Sequence, residues 1–291
     1  MSAPRRIERA APGNPAPEGF ETLGVRVSGR TDADPSAGTT RWVAYRASEP
    51  VARLSTQVAH GLLGAPGETG LVGHYDAIEA EAGVGLLRAA REELAAAGVA
   101  RVLGPMNGST WRRYRLALPA EPGDPVFDPP VFLGESRNPV EYPAHFEAAG
   151  FAVVARYESR IEPALRVDAA VLAAGEARLA AAGIRLRELD PARFDEEIRA
   201  LFDTSLEAFA NNLYYTPIAL EEFRAMYETV RPILDPSLVI LAEDASGRLV
   251  GYLFGYPDPL SDRGSGPTRA VAKTAAVSPV ARRAGVGAAL L

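Results

Sequence analysis

One segment constrains this chain more than any other: Val277-x-Pro279-x-x-Arg282-x-x-Gly285-x-Gly287, near the end of the sequence. The strand-like run RAVAKTAAVSP leads into it, and the apolar run ARRAGVGAALL opens a helix out of it. A sheet must therefore deliver this turn to a helix start. The residue types say what such a turn can hold. Glycines let backbone N–H groups approach a ligand closely, and the positive end of a helix dipole favours phosphate. Arg282 and Arg283 add charge and forked donors suited to a pyrophosphate.

Composition narrows the class. At roughly 100–200 residues per domain, 291 residues predict two domains, each able to bury its own core. Hydrophobic residues at 47% and charged residues at 23% are ordinary for a globular protein. A formal charge of −6 argues against a nucleic-acid-binding surface spread over the molecule, so no nucleic-acid partner is expected. With no cysteine, disulfides, thiolate metal sites and cysteine nucleophiles are excluded. His60, His74 and His145 are too scattered to suggest a metal centre, and no metal is expected. No apolar run approaches the roughly 18 residues that span a bilayer, so no membrane partner is expected either. The opening MSAPRRIERAAPGNPAPEGF lacks the continuous apolar stretch of a secretory signal and reads as a loose leader. A cytoplasmic location follows as the expectation. Arginine supplies every basic residue except Lys273, and alanine is abundant, a usage that points to a GC-rich bacterial genome.

Along the chain, Pro- and Gly-rich text fills most of residues 1–40, with one strand expected around FETLGVRVSG. RWVAYRA, a turn around Ser48-Glu49-Pro50, and VARLSTQVAHGL read as an antiparallel hairpin, with LVGHYDAI as a third strand. Helical spacing marks residues 83–97, stopped by Gly98, and VARVLGPM is a short buried strand. After a Pro-rich excursion, EYPAHFEAAG predicts a short helix and FAVVARYESRI a strand. An alanine-rich helix over 164–182 joins the halves. IRLREL is then a strand, PARFDEEIRALFDTSLEAFANN a helix with Pro191 in its first turn, and 219–234 a second helix. SLVILAED and RLVGYLFGYPD form a hairpin, with Glu243 and Asp244 at its turn, ahead of the strand that enters the Gly/Arg segment.

That segment resembles the acyl-CoA pyrophosphate loop of the GNAT superfamily (GCN5-related N-acetyltransferases), whose signature is Arg/Gln-x-x-Gly-x-Gly/Ala after a fourth strand. The preceding order of strand, two helices, hairpin and long strand is also that family's, over residues 183–291. The resemblance implies roles by position. Backbone groups of Ala276 and Val277 would pair with the pantetheine arm of acetyl-CoA. The N–H groups of Arg283, Ala284, Gly285, Val286 and Gly287, with the Arg282 side chain, would hold the pyrophosphate. The linker Asn211-Asn212-Leu213-Tyr214-Tyr215-Thr216 lies where such enzymes shape the acceptor pocket, making Asn212, Tyr214 and Tyr215 candidate substrate residues. No carboxylate lies on the signature strand beside Lys273 and Thr274, so no general base is named. The family's domain continues with further strands and a helix that often carries a proton-donating tyrosine. The chain as given is therefore expected to be truncated after Leu291.

The first half carries a weaker echo. A shift of 202 residues lays Gly83-Val84-Gly85-Leu86 on Gly285-Val286-Gly287-Ala288, but Ala80 and Glu81 stand where Arg282 and Arg283 stand later, with Glu79 beside them. Acidic residues there would repel a pyrophosphate. Tyr142-x-x-x-Phe146-Glu147-x-x-Gly150-Phe151 resembles the helix-to-strand corner that ends GNAT domains. GPMNGSTW followed by FLGESRNPVEYPAHFEAAGF is similar to a group of bacterial GNAT-related proteins in which a GPxN loop follows a strand. Asn107, Ser109 and Thr110 could line a ligand pocket or cap a turn. Trp42 and Trp111 read as core, and His145 as a surface residue.

The expected fold class is α/β, with two GNAT-like domains, each a mixed, mostly antiparallel sheet flanked by helices, the second incomplete. The expected boundaries are a leader over 1–40, a diverged GNAT-like domain over 41–162, a helical linker over 163–182 and an acetyltransferase domain over 183–291. The expected activity is acetyl transfer from acetyl-CoA to an amine of a small-molecule or protein acceptor. The alternative is a non-catalytic acyl-CoA-binding or interaction protein.

Overall fold

A computed structural model describes residues 6–29, 38–118, 132–166 and 168–291. The chain divides into two compact units. One is Met1–Arg156 with Leu213–Thr216, and the other is Tyr157–Asn212 with Pro217–Leu291.

The first unit is built on a five-stranded sheet of order β1-β2-β3-β4-β5. Strands β1 (Arg6–Ala10), β2 (Thr40–Arg46), β3 (Glu49–Leu62) and β4 (Ala65–Ala77) run antiparallel, and β5 (Arg101–Leu103) is parallel to β4. The hairpin between β2 and β3 closes on Arg46 opposite Glu49, with Ala47 at φ 54 in the turn. The next closes on Leu62 opposite Ala65, with Gly64 at φ 79. Three helices follow the chain: α1 (Phe20–Ser28), α2 (Ala80–Ala96) and α3 (Tyr142–Ala148).

Two sequence expectations fail here for identifiable reasons. Residues 6–28 are not a loose leader: β1 pairs with β2 from Arg6↔Tyr45 to Ala10↔Arg41. FETLGVRVSG is a helix rather than a strand. Its Val and Thr content suggests β structure, but Phe20, Leu23 and Val27 recur at helical spacing and turn one face inward. The fit of α1 depends on a missing side chain: a Cβ on Gly24 would lie 2.1 Å from Arg53 Nη2.

Arg53 is fully buried. Its Nε and Nη2 donate to Asp76 Oδ2 at 2.8 and 2.7 Å, its Nη1 donates to the Phe20 carbonyl at 3.0 Å, and its guanidinium lies over the Phe20 ring. The main core gathers Trp42, Val51, Leu54, Val72, Leu86, Leu87 and Phe146 between sheet and helices. His145 belongs to this interior and not to the surface. Its Nδ1 lies 2.8 Å from the Tyr75 hydroxyl, and burial lowers its pKa. Arg88 and Arg91 of α2 donate to the Ala148 and Ala149 carbonyls, which satisfies the end of α3. Beyond that end the expected strand over 151–161 has no strand partner among the described residues. Phe151 packs on Phe146, while Val153 and Val154 are exposed. Alternating letters make a strand only where an edge is offered to them.

The second unit has an antiparallel sheet of order β6-β7-β8-β9: β6 (Arg185–Glu188), β7 (Val239–Glu243), β8 (Leu249–Pro257) and β9 (Ala270–Val277). Its helices are α4 (Ala169–Ala181), α5 (Phe194–Phe209), α6 (Leu220–Glu228) and α7 (Val286–Leu290). Asp168 caps α4 through Ala170 N–H at 2.8 Å. The helix α6 ends earlier than the letters predict, because a separate 3₁₀ turn at Arg231–Ile233 carries Pro232. Asp244 organises the β7–β8 turn, accepting from the Ser246 hydroxyl and from the Ser246 and Arg248 N–H groups, and these bonds lower its pKa, the hydroxyl's foremost. Glu243 joins a charged cluster with Arg185, Arg187 and the buried Glu197. Thr204, Ser205, Leu201 and Ile198 pack α5 inward, where Ser205 Oγ meets the Tyr252 hydroxyl at 2.6 Å.

Candidate functional site

The strand β9 is the outer strand of its sheet. Ser278 donates its N–H to the Val250 carbonyl at 2.9 Å, and Gly251 faces Val277 in the ladder. Antiparallel alternation then turns the backbone groups of Ala276 toward Tyr252, and those of Ala275 and Val277 toward the open edge. Of the two strand residues expected to meet a pantetheine arm, Val277 faces outward. Ala276 is buried and bonded inward.

Past the strand, Pro279–Ala284 forms a 3₁₀ turn, Gly285 sits at φ 82, and α7 begins at Val286. A side chain at Gly285 would be strained by the left-handed backbone, and its Cβ would also lie 2.7 Å from Arg178 Cδ of α4. Val286 is buried directly over Gly251, where a Cβ would lie 2.8 Å from Val286 Cγ1. Ala284 and Gly287 are half-buried, whereas Arg282 and Arg283 are exposed. Arg282 Nη2 donates to the Ala208 carbonyl at 3.2 Å, which ties the turn to the end of α5. Ser278 Oγ donates to Glu207 Oε2 at 2.8 Å, and Glu207 also pairs with Arg248. The turn is thus anchored at its strand end and carries guanidinium groups on its surface. Arg178 and Glu207 escaped the sequence reading, since neither lies in the signature and only packing brings them to the turn.

The candidate acceptor residues separate. Asn212 N–H closes the end of α5 on the Phe209 carbonyl at 2.8 Å. Tyr214 and Tyr215 pack into the first unit. Tyr214, at φ 60, donates its N–H to the Leu63 carbonyl at 2.8 Å and leans on the Leu62, Leu71 and Leu103 cluster. Tyr215 meets Trp111 edge-on, the Trp111 indole donates to the Thr216 carbonyl at 2.8 Å, and burial raises the Tyr215 pKa.

The corresponding corner of the first unit is built differently. Only Ile78 and Glu79 connect β4 to α2. Glu79 pairs with Arg46, and Glu81 occupies the first turn. Gly83, matched to Gly285 by the 202-residue shift, lies inside α2, where a Cβ would meet Tyr75 Oη at 2.1 Å. The polar cavity of this unit opens beside the same end of β4, where β4 leaves β5. Pairing stops at Leu71↔Leu103, His74 sits at φ 48, and its N–H donates to Asn107 Oδ1 at 2.8 Å. The cavity, about 280 Å³, is lined by His74, Asn107, Arg113, Arg115, Arg137 and Tyr142 among others. Ser109 and Thr110 are not among its described lining residues. Burial pushes the phenols of Tyr75 and Tyr142 well above their ordinary range, and Tyr142 Oη accepts from Ala77 N–H at 2.8 Å.

The second unit runs helix, strand, two helices, hairpin, long strand, Gly/Arg turn and helix. The first runs strand, helix, three antiparallel strands, helix, parallel strand and helix. Both units are α/β, each a sheet flanked by helices. No family model matches the chain. It is 28% identical over 223 residues to a protein named "Bacterial ceramide synthase" from Caulobacter vibrioides, a match covering 75% of this chain and 56% of that protein. The chain thus spans about half the length of that curated relative. Among solved structures it is similar to the glucosamine N-acetyltransferase region of a fungal multi-domain β-N-acetylglucosaminidase, at 14% identity and a TM-score of 0.49, covering 98% of this chain and 33% of that one. A GCN5-related N-acetyltransferase from Sphaerobacter thermophilus gives 17% identity and a TM-score of 0.42, covering 99% and 81%. A tandem GNAT protein from the clavulanic acid biosynthesis pathway gives 16% identity and a TM-score of 0.39, covering 97% and 75%. Among the described residues, no helix is long and apolar enough to cross a membrane.

Proposed function

We propose that this chain is a CoA-dependent N-acyltransferase, with the acyl carrier held at the β9 edge and the turn of residues 278–287. The observation that carries this reading is the outer strand running into a left-handed Gly285 beside Arg282 and Arg283. The donor set fits the carrier's chemistry. The outward backbone groups of Ala275 and Val277 offer strand-like hydrogen bonds to an amide-bearing arm, and the guanidiniums offer forked donors to a pyrophosphate. A thioester supplies an activated acyl carbon to an attacking amine. The likeness to a protein named for ceramide synthesis supports an amine acceptor, since a ceramide is an amide. Glu207 is engaged by Ser278 and Arg248, so the reading assigns it an anchoring role and leaves the base to the acceptor's own surroundings.

The test is a calorimetric titration of the chain with acetyl-CoA, alongside the Arg282→Ala/Arg283→Ala double substitution. Saturable binding, weakened about tenfold by the substitution, is expected. A folded chain that binds no acetyl-CoA, or binds it equally well without both arginines, overturns the reading. Turnover on a panel of amines can then be followed by release of the CoA thiol, free of background because the chain has no cysteine.

A further inference from the structure

The cavity in the first unit has a chemistry of its own. It lies where β4 departs from β5, and its wall includes side chains that are more than nine-tenths buried: Asn107, His74 and Asp76. Burying such groups costs free energy unless they are satisfied, so their placement around a cavity calls for an account. His74 is fixed at two points. Its N–H donates to Asn107 Oδ1, and its Nδ1 lies 2.7 Å from Ser55 Oγ. With Oδ1 accepting from His74, the remaining Asn107 group, the Nδ2 amide, is a donor on a cavity wall.

Charge is the second observation. In a chain with a formal charge of −6, three arginines, Arg113, Arg115 and Arg137, converge on this one cavity. Asp76 is the one carboxylate on the described wall, and the buried Arg53 neutralises it from behind through two contacts to Oδ2. Glu135 lies outside the described lining and pairs with Arg115 at 3.5 Å. All three arginines also contact other protein groups, which holds them in place. A cavity whose lining carries three arginines against one already paired carboxylate, within low-dielectric walls, focuses positive potential on whatever enters. Guanidinium forks match the paired oxygens of a carboxylate or phosphate.

We infer that the first unit binds a small anion, a carboxylate or phosphate monoester, in the cavity between His74, Asn107 and the three arginines. At about 280 Å³ the space sits at the small end of ligand pockets, which run to roughly 1,000 Å³. The anion enters over Arg113 and Arg137, which are exposed, and reaches the Asn107 amide at the inner wall. This site is separate from the turn at residues 278–287 and does not depend on the activity proposed there. The unit whose strand-to-helix corner carries glutamates thus keeps a place for an anion beside the last residues of β4, His74 to Asp76.

The experiment is a titration of the whole chain with inorganic phosphate and, separately, with succinate, read by amide chemical shifts or calorimetry. Three variants accompany it: Arg113→Gln/Arg137→Gln, Asn107→Asp and Arg282→Ala. Asn107→Asp keeps the acceptor for the His74 N–H while placing a negative charge on the cavity wall, so it tests charge with little change of shape. Saturable binding of either probe is expected, weakened at least tenfold by the arginine pair and by Asn107→Asp, and unchanged by Arg282→Ala. Preference for phosphate or for succinate tells the two anion classes apart. A folded wild-type chain that binds neither probe at tens of millimolar overturns the inference. So does binding that survives both cavity variants, or binding lost in Arg282→Ala, which would place the anion at the second unit's turn. Thermal unfolding of each variant identifies any loss due to misfolding, and wild-type binding then decides alone.

Discussion

Where β4 hands over to α2, Ile78 and Glu79 make the whole connection; where β9 hands over to α7, residues 278–285 intervene. Each corner joins the last antiparallel strand of a run to the helix that follows it, yet the two carry opposite charge. In the first, Glu79 and Glu81 stand at the start of a 17-residue helix, where the helix dipole already favours carboxylates. The protein's own side chains supply the negative charge that a bound anion would otherwise bring. In the second, Arg282 and Arg283 line a turn held by Ser278, Glu207 and Gly251, with no carboxylate in its own letters. The comparison teaches that a shared strand–turn–helix frame does not imply a shared ligand: the length and charge of the connection decide.

The sharpest way to break the comparison is through the buried charges. Arg53→Ala leaves Asp76 buried without its cation and opens a hole beneath α1, so a loss of about 3–5 kcal/mol is expected. Urea unfolding followed by the fluorescence of Trp42, a core residue of this unit, would read it, and a loss below 1 kcal/mol would contradict the packing described for Arg53.

A second test concerns alkali and the other unit. Burial pushes the Tyr252 phenol from 10.0 up to about 12. Below pH 10 the phenol is protonated in folded and unfolded chains alike. Between pH 10 and 12 the unfolded chain releases the proton and the folded one does not, so stability falls as pH rises through that window. The fall from this residue amounts to roughly 3 kcal/mol. Tyr252→Phe should flatten this arm of the stability-versus-pH curve, and an unchanged arm would assign it to other tyrosines.

Gly251→Ala is the next test in size. Its Cβ would press on Val286 and on the Ala276 carbonyl, at 2.8 and 3.0 Å, so α7 must shift, at a cost of about 1–3 kcal/mol. Weaker acetyl-CoA binding in this variant, with Arg282 and Arg283 intact, would tie the ligand to the position of α7. Smallest of all should be Arg46→Ala. Its pair with Glu79 is largely exposed on the arginine side, so a change under about 0.5 kcal/mol is expected in thermal unfolding. A larger loss would mean that the glutamate corner of the first unit needs its counter-ion.

Much of this architecture was legible in the letters. The hairpins, the helices α2, α3 and α5, and the strand β9 with its Gly/Arg turn follow from periodicity, turn residues and caps, all of which act within a few residues. The failures are also instructive. FETLGVRVSG carries β-favouring residues, but burial of Phe20 and Leu23 against the sheet made it helical. FAVVARYESRI alternates like a strand, yet no described strand offers it an edge. His145 looked like a polar surface residue until Tyr75 enclosed it.

By itself, then, the sequence determined the α/β class, the position of the Gly/Arg turn, the left-handed requirement met by Gly285 and the exclusion of cysteine nucleophiles and disulfides, because each depends on residue type and near neighbours. Only the tertiary structure decided which backbone groups of β9 face outward. It alone brought Arg178 and Glu207 to the turn, joined Tyr214 and Tyr215 to the first unit, and gathered His74, Asn107 and three arginines around one cavity. Ladder register and the convergence of side chains far apart along the chain are set by packing the whole core at once, and no local stretch of letters carries that information.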